Sequence, residues 1–163
     1  MELAKHDLNL APPEFSVRMV RASFAMRNVE SVQGGKVQLA MLVMDSRQQP
    51  AVAGVRGGSP AVRQLLYKAG TVCIDLHIRP KPGSESVELV GQLLDSVKPT
   101  RILRNIPVTL LQHGNSVSNT KTNDSGEFDF GFDLPEDVHL AVGLKNRTLV
   151  VPIPDAEIET RRQ

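Results

Sequence analysis

From Thr71 onward the chain alternates. Val72, Ile74, Leu76 and Ile78 are apolar, and Cys73, Asp75, His77 and Arg79 stand between them. A period of two sends successive side chains to opposite faces of a strand, so this stretch predicts a strand with one buried face. Lys81, Pro82 and Gly83 turn it. Residues 87–95 predict the next strand, with Gly91 inside it as a bulge or a point of close approach. A basic connection follows at residues 96–105. Ile106, Val108 and Leu110 then alternate, and His113, Gly114 and Asn115 mark a hairpin turn. Residues 116–122 are polar at nearly every position and predict a solvent-exposed edge strand. Asn123, Asp124, Ser125 and Gly126 are the strongest turn signal in the chain. Phe128, Phe130 and Phe132 place three aromatics on one face of the strand after it. Residues 134–137 break that strand. Val138, Leu140 and Val142, and then residues 148–153, predict the last two strands, with Pro152 and Pro154 ending the pairing. Seven short strands between residues 71 and 153, with turns every roughly 8–12 residues, predict an antiparallel β-sandwich.

The N-terminal part is less regular. Phe15, Val17 and Met19 alternate in one phase, and Val20, Ala22, Phe24 and Met26 in the other. A bulged strand accounts for the slip; a helix using Val17, Val20 and Phe24 is the alternative. Gly34 and Gly35 signal a turn, and residues 36–45 predict a strand. Its second half is apolar on both faces, which implies burial on both sides or a covered edge. Residues 46–58 have the composition of a linker. Ser59 as a cap, Pro60 at the first helical position and Gly70 as a terminator suit a helix. Val62, Leu65, Leu66 and Ala69 fall at helical spacing, so residues 60–69 predict a short helix. The expected organisation is a disordered arm at 1–13, an N-terminal extension of about two strands and one short helix at 14–70, the sandwich at 71–153 and a flexible tail at 154–163.

Composition narrows the function classes. The 163 residues suit one domain large enough to bury a core without disulfides. Nineteen basic residues against eighteen acidic leave a net charge of +1, and no basic run stands out. The expectation is no nucleic-acid partner and no membrane partner. One cysteine, Cys73, excludes an intrachain disulfide framework. The first residues lack the basic and apolar regions of a secretory leader, and no stretch approaches about 18 uninterrupted apolar residues. A soluble, cytoplasmic protein is expected. The chain has no tryptophan and one tyrosine, which disfavours sites built on aromatic stacking.

Residues 91–142 resemble the carboxypeptidase regulatory-like domain, an all-β, seven-stranded antiparallel prealbumin-like (Ig-like) sandwich related to Cna-B repeats. The resemblance rests on Gly91 through Asp95, then Ile106, Pro107, Val108, Thr109 and Leu110. It continues through the run Thr122, Asn123, Asp124, Ser125, Gly126, Glu127, Phe128, Asp129, Phe130, and ends at Leu134, Pro135 and the strand from Val138 to Val142. It implies that Gly126 takes a backbone conformation other residues avoid and that the aromatic after it enters the core. Glu136 and Asp137 replace the glycine usual after Leu-Pro, and Val138 replaces the usual tyrosine. Residues 45–70 also resemble an N-terminal half found in uncharacterised bacterial proteins with this sandwich. The resemblance implies a non-catalytic module for protein interaction or regulation, which is an analogy of fold.

Candidate chemistry is sparse. Asp75 and His77 share the polar face of one strand and, joined by His139, would make three metal ligands; the plainer reading is polar surface. Asn123, Asp124, Glu127 and Asp129 cluster oxygens without EF-hand spacing, and a side-chain-capped turn suits them. Cys73 has no histidine beside it in sequence and suits a packed strand position. Gly54, Val55, Arg56, Gly57 and Gly58 fit neither a phosphate loop nor a dinucleotide fingerprint; Arg56 is the candidate anion contact. No cofactor is expected. The candidate interaction edge is Ser116, Val117, Ser118, Asn119, Thr120, Lys121 and Thr122, polar and charge-poor. Such an edge can accept a strand from another protein or a second copy. A small-ligand or carbohydrate-binding module and a metal-dependent hydrolase are the competing classes.

Overall fold

The structure, a computed structural model, describes residues 35–48, 62–133 and 136–154. These residues form ten strands: β1 (Lys36–Leu39), β2 (Met41–Asp45), β3 (Arg63–Ala69), β4 (Val72–Pro80), β5 (Ser86–Asp95), β6 (Pro107–Gln112), β7 (Asn115–Lys121), β8 (Glu127–Asp133), β9 (Val138–Leu144) and β10 (Arg147–Ile153). A single 3-10 turn, Ser46–Gln48, follows β2, and no α-helix occurs among the described residues. Sheet I has the order β1-β10-β9-β6-β7 and sheet II the order β2-β3-β4-β5-β8. Every pairing is antiparallel except β1 with β10.

The alternation seen in the sequence decides which side chains meet. Ile74, Leu76 and Leu89 of sheet II and Val108, Leu140, Val142, Leu149 and Val151 of sheet I belong to one buried cluster. One hydrophobic core is therefore built from one face of each sheet. Phe128 and Phe130 enter it with their rings edge to face, centroids 6.1 Å apart. Phe128 lies directly across from Gly91, and a side chain at 91 would overlap its ring. Gly91 is thus the close approach that the sequence suggested: the missing Cβ makes room for an aromatic ring from the next strand.

Residues 60–69 are not a helix where the structure describes them. Residues 63–69 are β3, held between β2 and β4. Its burial alternates, with Arg63, Leu65, Tyr67 and Ala69 inward. The helical spacing of Val62, Leu65, Leu66 and Ala69 was coincidental, and a charged residue at a core-facing position hid the period of two. Partners on both sides override the helix propensity of Gln, Leu, Lys and Ala. Gly70, expected to stop a helix, belongs to the tight turn between β3 and β4.

Residues 36–45 also differ from the single strand expected. Ala40 is buried, gives its N–H to Val150 O at 2.8 Å, and separates β1 in sheet I from β2 in sheet II. Burial on both sides or a covered edge was expected for the second half; β2 ends sheet II and exposes Met41 and Val43. The N-terminal strands are therefore integral members of both sheets. Pro152, expected to stop pairing, lies inside β10 opposite His139, beyond Val150, the last β1 partner. The arm at 1–13, the pattern at 15–26, Gly34, residues 49–58, Ser59, Pro60, Leu134, Pro135 and the tail from 155 lie outside the described residues.

Polar side chains tie the two sheets together along β3 and β10. Arg63 and Asp45 are both buried, and the guanidinium grips the carboxylate with Nε to Oδ1 at 3.2 Å and Nη2 to Oδ2 at 2.7 Å. Its Nη1 donates to Pro154 O at 3.3 Å. Tyr67 Oη donates to Pro152 O, and Arg147 Nη2 donates to Ala69 O at 3.3 Å. Burial alone would raise the Asp45 carboxyl. The hydrogen bond from Arg63, the N–H of Arg47 and both positive charges outweigh it and hold the group below its ordinary value.

Asp45→Ala strands the buried guanidinium and is expected to cost about 3–5 kcal/mol in denaturant unfolding. The double variant Asp45→Leu/Arg63→Met should recover most of that loss. Because the Asp45 pKa is depressed in the fold, its contribution is present above the unfolded value near 3.9 and disappears as pH falls through the folded value. Unfolding free energy should therefore drop below about pH 4, and Asp45→Ala should flatten that acid limb. Gly91→Val forces the Phe128 ring out of its place, with an expected loss of about 1–3 kcal/mol or more.

Candidate functional site

Among the described residues, strand β7 is one rim of sheet I and pairs with β6 alone. The chain forms it by a two-residue turn: His113 and Gly114 take φ of 48° and 75°, the left-handed pair that a tight hairpin requires. Ser118 and Thr120 face the core side, opposite Leu110 and Val108. Both are small and hydroxylated, because the core ends beneath β6. Asn119 faces outward and accepts a hydrogen bond from the Thr109 hydroxyl at 2.7 Å.

The backbone pattern shows which groups are open. Thr122 N–H donates to Ile106 O at 3.0 Å, and Thr122 O accepts from Asn105 N at 2.9 Å. In an antiparallel ladder the direction alternates, so Thr120 and Ser118 also turn toward β6. Asn119 and Lys121 turn their N–H and C=O groups toward the rim. At Val117 the ladder slips: Ser118 pairs with Leu110 and Ser116 with Leu111, leaving Val117 as a bulge. A bulge twists an edge away from a flat partner. The usable part of this edge is therefore Ser118 through Lys121, shorter than the seven residues the sequence suggested.

Thr122 is not part of that edge. It lies just past β7, only 2% exposed. Its hydroxyl donates to Leu103 O at 2.6 Å and accepts from Ile106 N at 2.9 Å. It pins the long 96–106 connection to the β7 end. Ser116, Val117, Ser118, Asn119 and Lys121 are exposed and Thr120 is half-buried. Arg56 lies outside the described residues.

The other three rims are protected differently. β8 carries Glu127, Asp129 and Asp133 on its exposed face. β1 is four residues long. β2 exposes Met41 and Val43, with its own register slip between Leu42 and Met44. The edge position of β2 was one of the two readings that its run of apolar residues on both faces suggested; the exposure of Met41 and Val43 was not.

The turn at 123–126 is built as a side-chain-capped turn. Asn123 Oδ1 accepts the N–H groups of Ser125 and Glu127, each at 2.9 Å. Gly126 has φ of 77°, and a Cβ there would sit 2.9 Å from Leu93 O. Asn123 thus uses its side-chain oxygen to cap the turn, as the sequence suggested.

The three residues weighed as metal ligands, against a plainer reading as polar surface, lie in different sheets. Asp75 and His77 pair at 3.4 Å on the outer face of β4, with Gln64 Nε2 donating to Asp75 at 3.0 Å. His139 is on β9 in the other sheet. It lies instead 3.7 Å from Asp137 Oδ1, and Asp137 Oδ2 is 3.8 Å from His113 Nδ1. That cluster at one end of sheet I was not foreseen, because the β6–β7 turn and the start of β9 meet only in the fold. Among the described residues no three His, Cys, Asp or Glu side chains are placed to hold a metal ion. Cys73 is half-buried on β4. No helix among them is long and apolar enough to cross a membrane.

Comparison of the chain with known protein families, with curated proteins and with solved structures finds no match.

Thr122→Val leaves Leu103 O and Ile106 N without their partner and is expected to cost about 1–3 kcal/mol. Ser118→Ala, on the rim, should change stability by less than about 0.5 kcal/mol. Equilibrium unfolding of the two variants checks the separation between edge and scaffold.

Proposed function

We propose that the protein is a non-catalytic interaction or regulatory module that binds a protein partner through the rim of β7. The observation that carries this reading is the open backbone of Asn119 and Lys121 on an exposed strand with one charged side chain. A partner strand laid there would gain main-chain hydrogen bonds, and the flanking hydroxyl and amide side chains would cost little to desolvate. The core side of the rim, Ser118 and Thr120, would accept small side chains. Two five-stranded sheets around one core support reading the chain as a prealbumin-like sandwich, the architecture of accessory domains that lack catalysis. A cytoplasmic setting is part of the same proposal.

Asn119→Pro tests it. The N–H of Asn119 points away from β6, so proline removes a rim donor and blocks a partner strand without breaking the hairpin ladder. Partners retained from native-host extract by the wild-type chain should be lost with Asn119→Pro and kept with Glu88→Gln, on the far face of sheet II. Equal retention by wild type and Asn119→Pro, or no specific retention at all, overturns the reading.

A further inference from the structure

Strand pairing gathers the connections 70–71, 96–106, 122–126 and 145–146 at one end of the two sheets. In sheet II, Ala69 pairs with Val72 and Val72 with Asp95; in sheet I, Pro107 pairs with Lys121 and Leu144 with Arg147. Arg147 Nη2 on Ala69 O ties this end across the sheets, and Ser96 N–H donates to Thr71 O at 2.8 Å. Among the described residues these connections carry Lys98, Arg101, Arg104 and Lys145 against Asp124. At the neighbouring strand ends Lys36 and Lys121 add positive charge, and Glu127 and the buried Asp95 negative. The opposite end has the reverse balance: Glu85, Glu136 and Asp137 stand against Arg47 and Lys81. The expectation of no membrane partner rested on a charge balance summed over the whole chain. Folding separates those charges by end.

The 96–106 connection is anchored along its length. Asp95 Oδ1 accepts the N–H groups of Val97 at 3.0 Å and Lys98 at 2.9 Å, and Arg101 N–H donates to Lys98 O at 2.8 Å. Leu103 is buried, and its carbonyl accepts from the Thr122 hydroxyl. On this fixed backbone Val97 is 67% exposed and Ile102 44%. Lys98, Arg101 and Arg104 are exposed beside them. Arg101 lies 3.7 Å from Asp95 and Arg104 3.9 Å from Asp124, yet both arginine side chains stay more than half exposed. Such surface pairs are weak and exchange readily for another anion. Single surface aliphatics need no explanation. Two of them on one anchored connection, interleaved with cations, match an interface that is anionic outside and apolar beneath. We propose that this end of the sandwich docks on an anionic lipid surface. Lys98, Arg101 and Arg104 meet the headgroups, and Val97 and Ile102 enter the boundary with the acyl chains. A nucleic acid would use the cations and leave the aliphatics idle, and residues 96–106 carry no aromatic ring for base stacking. A lipid surface uses both.

Co-sedimentation of the full chain with lipid vesicles tests the assignment. The chain should bind vesicles of phosphatidylcholine mixed with phosphatidylserine, should not bind phosphatidylcholine alone, and should be released by rising salt. Lys98→Gln/Arg101→Gln/Arg104→Gln should weaken binding about tenfold or more, and Val97→Ser/Ile102→Ser should weaken it by about as much. Lys81→Gln, at the acidic end, should leave it unchanged. If a combined variant loses its β-sheet signal, the single changes Val97→Ser and Lys98→Gln serve for the same comparison, with losses of about threefold expected. The chain has no tryptophan, so Val97→Trp introduces a lone indole whose emission should shift to the blue on mixed vesicles. The proposal is overturned if mixed vesicles are not bound, if phosphatidylcholine alone is bound equally, or if Lys81→Gln weakens binding as much as the loop variants. It is also overturned if the loss of Val97 and Ile102 has no effect, if the indole emission does not shift, or if a duplex oligonucleotide is bound through the same cations while mixed vesicles are not. Vesicle binding needs no protein partner, so either result leaves the β7 reading intact.

Discussion

Burying the Arg63 guanidinium constrains this fold more than any other single contact. A charge taken out of water must find compensation, and here Arg63 finds it in two segments far from it in the sequence. Asp45 at the end of β2 supplies the carboxylate, and Pro154 just beyond β10 supplies a carbonyl. Arg63 therefore fixes the register of β3 against β2 and the distance of both from sheet I. A slip of one residue along β3 would turn the guanidinium to solvent and its neighbours Leu65, Tyr67 and Ala69 away from the core. Tyr67 and Arg147 repeat the tie further along the same two strands. Such a pair adds little net stability over an apolar replacement. Its effect is to make one alignment of the sheets acceptable and the neighbouring ones unacceptable.

With that alignment set, the two sheets differ in character. Sheet II has a core face and a polar face, on which Asp75, His77, Arg79 and Glu88 meet solvent. Sheet I is apolar on both faces near its β1 side and polar at its β7 rim. The chain thus divides its surfaces by strand position. Sheet I buries Leu111, Ala141 and Val150 on the face turned away from the shared core, while most side chains of β7 are exposed. The rims follow the same logic. Acidic residues guard β8, bulges interrupt β2 and β7, and the stretch of β7 past its bulge keeps a short run of unpaired backbone.

Several elements were legible from residues alone because their cause is local. The strands β4 to β10 follow from alternation and from turns whose chemistry is written in three or four residues. Gly126 is required by a left-handed turn and Phe128 follows it into the core. Other elements depended on partners distant in sequence. β3 carries helix-forming residues and a buried arginine, and is a strand because β2 and β4 flank it. The split at Ala40 exists because its N–H finds Val150, more than a hundred positions later. The candidate edge was found from its polarity, but Thr122 was grouped with it, since nothing in its identity shows that the 96–106 connection would fold over it.

By itself the sequence determined the class of this protein: short alternating strands, the turns between them, and the glycine and aromatic positions that those turns and strands need. Alternation and turn chemistry are properties of neighbouring residues, so they survive without the fold. Tertiary structure alone decided which sheet each N-terminal strand joined, which rim stayed open, and which polar residues were withdrawn to hold the sheets together. Those outcomes depend on hydrogen bonds and burial between residues far apart in the chain, and no local pattern records them.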